Sequence, residues 1–136
     1  MAYEIVWESR GAYKRFYAHV TDEELMRSLT QIESDPRFDN LRYVLNDFLA
    51  VESFTVSEDC VHMMSAIDHA AASSNPDIRI AIVATDLQLQ ALAKLYALSP
   101  LNVYPTEIFM NTGDARSWIS TAPLQADFRK RYNAQS

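Results

Sequence analysis

Asp77-Ile-Arg-Ile-Ala-Ile-Val-Ala-Thr85 runs without a break into Asp86-Leu-Gln-Leu-Gln-Ala-Leu-Ala-Lys-Leu-Tyr-Ala-Leu-Ser99. The first stretch is apolar and rich in β-branched side chains, the pattern of a strand buried on both faces. The second is rich in leucine and alanine, the pattern of a helix that covers such a strand. The unit recurs on both sides. Leu41-Arg-Tyr-Val-Leu-Asn46 precedes a helical pattern over residues 57–74, and residues 102–111 precede a short helix over 114–119. Strand followed by covering helix, repeated along one chain, predicts parallel β-α units and hence an α/β fold.

Upstream, residues 3–9 and 12–20 alternate loosely around Arg10-Gly11, which predicts an antiparallel hairpin at the start of the sheet. Thr21-Asp22-Glu23-Glu24 is a capping box, and Leu25, Leu29 and Ile32 follow at helical spacing until Asp35-Pro36 ends the run. The second helix is expected to turn Cys60, Met63, Met64, Ile67, Ala70 and Ala71 inward, with Asp59, His62, Ser65 and His69 toward the other side. Asn75-Pro76 ends it, and Thr85-Asp86-Leu87-Gln88 has the form of a second capping box. Residues 103–110 supply a fifth strand, with Pro105 kept out of a central ladder position. After a short helix opened by Thr112-Gly113-Asp114, Pro123, Leu124, Phe128 and Tyr132 predict an amphipathic helical extension or a frayed end. The reading is one domain over residues 1–120 with 121–136 as its extension. It has a single mixed sheet of about five strands, an antiparallel hairpin followed by parallel units, and four to five helices.

The 136 residues suffice to bury a core without disulfide or metal, and 49% hydrophobic with 22% charged residues is ordinary globular composition. A formal net charge of −6 argues against nucleic acid as a partner, which demands clustered Lys and Arg. The single cysteine, Cys60, forms no internal disulfide and sits on the apolar stripe. The amino terminus has no secretory pattern, so a cytoplasmic location is expected. No run approaches the roughly 20 apolar residues of a transmembrane segment, and none is expected.

Chemistry is sparse. Asn46, Asp47, Thr85, Asp86, Asn111 and Thr112 fall at predicted carboxyl ends of strands, where doubly wound sheets bind ligands, and would suit a small anion or polar head group. The same residue types are what caps and turns require. His62 and His69 lie two turns apart, too far for paired ligands, so no metal is expected. Asp22, Glu23 and Glu24 complement a helix dipole. With only two glycines there is no phosphate loop and no G-x-S-x-G, so neither catalytic residues nor a cofactor are expected. The third helix is apolar on two stripes, Leu89, Leu92 and Tyr96 on one and Leu87, Leu95 and Leu98 on the other, and so needs cover on both. Met63, Met64, Leu89, Leu92, Leu95 and Tyr96 thus mark an apolar interface or cavity, covered by the extension, a second subunit or a lipid-like ligand.

The order of elements resembles the STAS family of sulfate transporters and anti-sigma-factor antagonists, and more closely the SpoIIAA-like proteins. The resemblance rests on Tyr3-Glu-Ile with its hairpin and Thr21-Asp-Glu-Glu-Leu25, on Tyr43-Val-Leu-Asn-Asp-Phe48 leading to Ser57-Glu-Asp, and on residues 107–119. It implies a non-catalytic regulatory module with a protein partner, a kinase or an anti-sigma-like regulator, and a homodimer. The family's Asp-Ser-Ser-Gly phosphorylation motif falls on Thr55-Val56-Ser57-Glu58, where only Ser57 survives. Ser57 and Thr55 are therefore the phospho-acceptor candidates, and both are equally suited to capping a helix. The alternative implied by the resemblance is a carrier of a small apolar or anionic, lipid-like ligand, associated peripherally with membranes.

Overall fold

The computed structural model describes residues 2–121, so the predicted extension past Thr121 lies outside the described residues. The chain order is β1 (Tyr3–Trp7), β2 (Gly11–Thr21), α1 (Asp22–Glu33), a 3-10 helix (Pro36–Asn40), β3 (Tyr43–Thr55), α2 (Glu58–Ala71), β4 (Arg79–Val83), α3 (Leu87–Ala97), β5 (Thr106–Phe109) and α4 (Thr112–Ser120). The strands form one sheet in the order β1-β2-β3-β4-β5. β1 pairs with β2 antiparallel, as the Arg10-Gly11 turn predicts, and every later pairing is parallel.

Three parallel connections that all advance the same way across the sheet, each right-handed, place their helices on one face. Accordingly α1, α2 and α3 share a face, where Ala12, Val44, Ile80 and Ile82 meet Ile32, Val61, Ala93 and Tyr96. α4 follows the last strand, and packs Ala115 and Ile119 on the opposite face against Leu45, Ala81 and Val83. That sandwiching explains why β4 is buried at all five positions, the signal that makes residues 77–85 so legible.

Several boundaries differ from the sequence pattern. β3 does not stop at Asn46 but continues to Thr55, because the equally long β2 offers a pairing partner as far as Thr21↔Thr55. Leu41 caps the 3-10 helix instead of opening the strand. β4 and β5 are shorter than the apolar runs that announce them, and Pro105 lies just before β5, where its missing N–H interrupts no ladder. α3 is capped by Asp86, which accepts from the amides of Gln88 and Leu89, so Thr85 is not the cap. At α1 the box half forms: Thr21 accepts from the Glu24 amide at 3.4 Å, while Glu24 Oε2 takes the Ala2 amide at 2.6 Å.

Gly11 pairs with Tyr43, whose ring lies flat across the glycine; a Cβ there would sit 2.1–2.4 Å from ring carbons. The missing side chain lets the Tyr43 hydroxyl donate to Glu8, which Arg116 of α4 grips with two nitrogens at 2.6 and 2.8 Å. Gly11→Ala should therefore displace Tyr43 and lower stability by about 1–3 kcal/mol. Gly113→Ala, whose added Cβ meets only Asn111 Oδ1 at 3.4 Å, should be neutral or stabilise by up to about 1 kcal/mol. Urea denaturation of the two variants side by side checks both signs.

Candidate functional site

The parallel β2–β3 pair carries the amino termini of α1 and α2 to the same end of the sheet. Ser57 caps α2 in extended backbone geometry, accepting from the Cys60 amide at 3.1 Å. Its hydroxyl donates to Asp22 Oδ2 at 2.7 Å and its amide donates to Asp22 Oδ1 at 2.8 Å. Asp22 is the first residue of α1. One carboxylate therefore clamps two helix starts together, a favourable place for negative charge because both dipoles point their positive ends there. Thr55 stands beside it with Oγ1 3.3 Å from His19 Nε2, and His19 Nδ1 is 2.7 Å from Ser53 Oγ. Both phospho-acceptor candidates are exposed. Cys60 lies just beneath, and burial, reinforced by Asp22, pushes its thiol up to about 11. It is core, as its stripe predicts, and chemically quiet.

A second constellation lies inside. Lys14 sits between Ala12 and Phe16 on β2 and points the same way, toward α1–α3, so strand alternation drives an amine into the core at 3% exposure. Its one hydrogen-bond partner among the described residues is Ser28 Oγ, at 3.1 Å. Burial lowers its pKa to about 8, against the pull of Asp68 and Glu33. Asp68 of α2 is likewise buried and accepts from the Tyr96 hydroxyl. Glu33 of α1 is pushed up to about 9 by burial first and by its hydrogen bond with Asp68 next. These groups border a cavity of about 100 Å³ whose walls are otherwise aliphatic and aromatic, including Leu29, Val44, Met64, Ile80 and Leu92. The sequence signals were present but quiet: Lys14 in phase with inward Ala12 and Phe16, Ser28 on the stripe of Leu25, Leu29 and Ile32, and Asp68 one turn beyond Met64.

No family model matches the chain, and no curated protein matches it. Solved structures do. The anti-sigma factor antagonist SpoIIAA in its unphosphorylated form aligns over 88% of this chain and 98% of its own, with TM-score 0.59 at 7% identity. The chain has the SpoIIAA-like fold. The Bacillus cell fate determinant SpoIIAA in its phosphorylated form aligns over 85% of this chain and 98% of its own, with TM-score 0.56 at 8% identity. A protein with a SpoIIAA-like fold from Shewanella loihica PV-4 aligns over 87% and 92%, with TM-score 0.51 at 14% identity.

Within that SpoIIAA-like frame the other expected residues scatter. Asn46 and Asp47 are neighbours on a strand and so face opposite sides of the sheet. Asn46 borders the cavity, while Asp47 accepts from the Tyr13 hydroxyl and the Leu49 amide. Asp86 and Asn111 are caps of α3 and α4, Thr112 opens α4, and Thr85 is exposed. They do not gather into one pocket, because β3 runs past Asp47 and each cap serves its own helix. Of the apolar set, Met64, Leu89, Leu92 and Tyr96 border the cavity, and Leu95 with Leu92 lines a separate outer groove. Met63 is 57% exposed, whereas Ser65, assigned outward by its polarity, is fully buried and donates to the Val61 carbonyl. His62 lies in the outer groove and His69 reaches the Leu101 carbonyl. Among the described residues no helix is long and apolar enough to cross a membrane.

The raised Glu33 carboxyl has a thermodynamic consequence. Between its ordinary value of 4.5 and about 9 the folded chain holds a proton that the unfolded chain releases, so stability is full below the lower value and is lost as pH rises toward the upper one. Urea-unfolding free energy should fall from pH 5 to pH 8, by less than the one-proton limit of about 1.4 kcal/mol per pH unit because Glu33 is only half-buried. Glu33→Gln should flatten that slope. A wild-type profile that rises over the same range contradicts the assignment.

Proposed function

We propose that this chain is a non-catalytic regulatory module that acts by binding another protein, through the end of the sheet where β3 leads into α2. The observation that carries the reading is Ser57, an exposed α2 cap whose hydroxyl is held by the first residue of α1. The similar SpoIIAA is known in unphosphorylated and phosphorylated forms. In this chain a phosphoryl group on Ser57 would remove the proton donated to Asp22 and set a dianion against Asp22, Glu58 and Asp59. The α2 amides favour that charge, but three carboxylates oppose it, so the modification opens the α1–α2 clamp instead of tightening it. Beside the clamp, Phe54, Val56, His62, Leu95 and Leu98 form an outer groove whose shape depends on how α2 is seated. A kinase that modifies Ser57 and an anti-sigma-like regulator that reads the surface are the partners that fit.

The test is affinity purification of tagged wild type, Ser57→Ala and Ser57→Glu from the source organism, with co-purifying proteins quantified by mass spectrometry. The expected outcome is one partner enriched on the wild type and reduced roughly tenfold on Ser57→Glu, a loss of about 1.4 kcal/mol in binding. A partner held equally by all three removes Ser57 from the surface. No enrichment over an untagged control removes the module reading altogether.

A further inference from the structure

We propose that the cavity beneath α1–α3 captures a small apolar aldehyde or ketone, through a reversible imine with Lys14. The site is distinct from the Ser57 surface and stands without it. Its geometry has three parts. The first is the amine: Lys14 is almost wholly buried on β2, borders the cavity, and spends one of its three ammonium donors on Ser28, which leaves two for a ligand oxygen. The second is the space, about 100 Å³ walled by aliphatic side chains. An engineered apolar cavity of about 150 Å³ holds the six carbons of benzene, so this one, two thirds that size, takes roughly four non-hydrogen atoms. The third is the pair of acids on the same cavity, Glu33 and Asp68, the latter fixed by the Tyr96 hydroxyl.

These parts favour a neutral carbonyl over a carboxylate. An anionic head would add charge beside Asp68 in a site with one amine to offset it, and burying an uncompensated charge is costly. A carbonyl oxygen can accept from the amine without that penalty. Desolvation also leaves much of the Lys14 amine neutral at pH near 8, the form that attacks carbonyl carbon. Glu33, held protonated by burial and Asp68, supplies the acid.

The step balances within these groups. Lys14 Nζ attacks the carbonyl carbon and the C–N bond forms. The carbonyl oxygen takes the Glu33 proton and a nitrogen proton and leaves as water, and the second nitrogen proton returns to Glu33. One amine and one carbonyl compound give one imine and one water, with no oxidant or reductant. Entry is through the outer groove, since Val56 and Leu92, both half-buried, border groove and cavity alike.

The test is to incubate the folded chain with propanal and sodium cyanoborohydride at pH 8 and map the propyl adducts by peptide mass spectrometry. Exposed Lys94 serves as the internal reference. The expected result is labelling of Lys14 roughly tenfold or more faster than Lys94, with the advantage abolished in urea. Ala93→Leu, which fills the cavity wall while leaving Lys14 in place, should slow Lys14 labelling and spare Lys94. Glu33→Gln should slow it as well. Lys94 labelled while Lys14 stays unmodified overturns the proposal, whether or not propanal raises the melting temperature.

Discussion

The placement of both the surface clamp and the buried amine hangs on the parallel pairing of β2 with β3. It runs from Gly11↔Tyr43 to Thr21↔Thr55, with register shifts between Arg15 and Tyr17 and again between Ala18 and His19. Ala18 carries the only positive φ among the described non-glycine residues, at 55°, and sits at the second of those shifts. Shifts of this kind add local twist and re-aim the side chains that follow. Beyond them the pair delivers Thr21 and Thr55 side by side, and with them the starts of α1 and α2, so that Asp22 meets Ser57. Before them the same pair sets Lys14 opposite Asn46 beneath the helices. The surface clamp and the buried amine are two ends of one ladder.

The two sites make opposite electrostatic choices. At the clamp, a single half-buried carboxylate is shared by four groups: the Ser57 amide, the Ser57 hydroxyl and two helix dipoles. In the cavity an amine and a carboxyl are taken from water with a second, half-buried carboxyl beside them, and the protein meets the cost by keeping that second acid protonated and easing the amine toward neutrality. Such a cluster contributes little to net stability, and removing any one member leaves the others unbalanced. A nearly neutral cluster in an aliphatic wall is nonetheless the arrangement that discriminates among ligands by charge.

Periodicity carries the frame of the fold. β4 is legible because both its faces are covered, and α3 because leucine repeats at helical spacing; the hairpin is legible because Gly11 interrupts two alternating runs. The length of β3 is not legible, since residues 47–55 mix acids and serine with apolar side chains and resemble a loop until β2 is seen beside them. Polarity misleads at α2 for a related reason. Met63 is apolar but falls between the covered stripes, while Ser65 and Asp68 lie on one and find partners in the Val61 carbonyl and the Tyr96 hydroxyl. Lys14 is hidden by the same rule that buries it: a lysine in an alternating strand reads as solvent-facing unless its phase is compared with Ala12 and Phe16. Pairing partners, not local pattern, decide each of these cases.

The sheet also grows in chain order, each new strand taking its place beside the one just before it. Many α/β sheets start in the middle and add strands on alternate sides, so that early segments wait for late ones. Here every β-α unit leaving the ribosome meets a completed edge, and α2 and α3 each land on the face where the previous helix is already seated. Synthesis from the amino terminus and assembly across the sheet proceed in the same direction. Among the described elements α4, which closes the opposite face over Leu45 and Ala81, comes last. Until α4 is made, the face of the sheet that carries Leu45, Ala81 and Val83 lacks the cover that Ala115 and Ile119 give it, though the strands beneath are already complete.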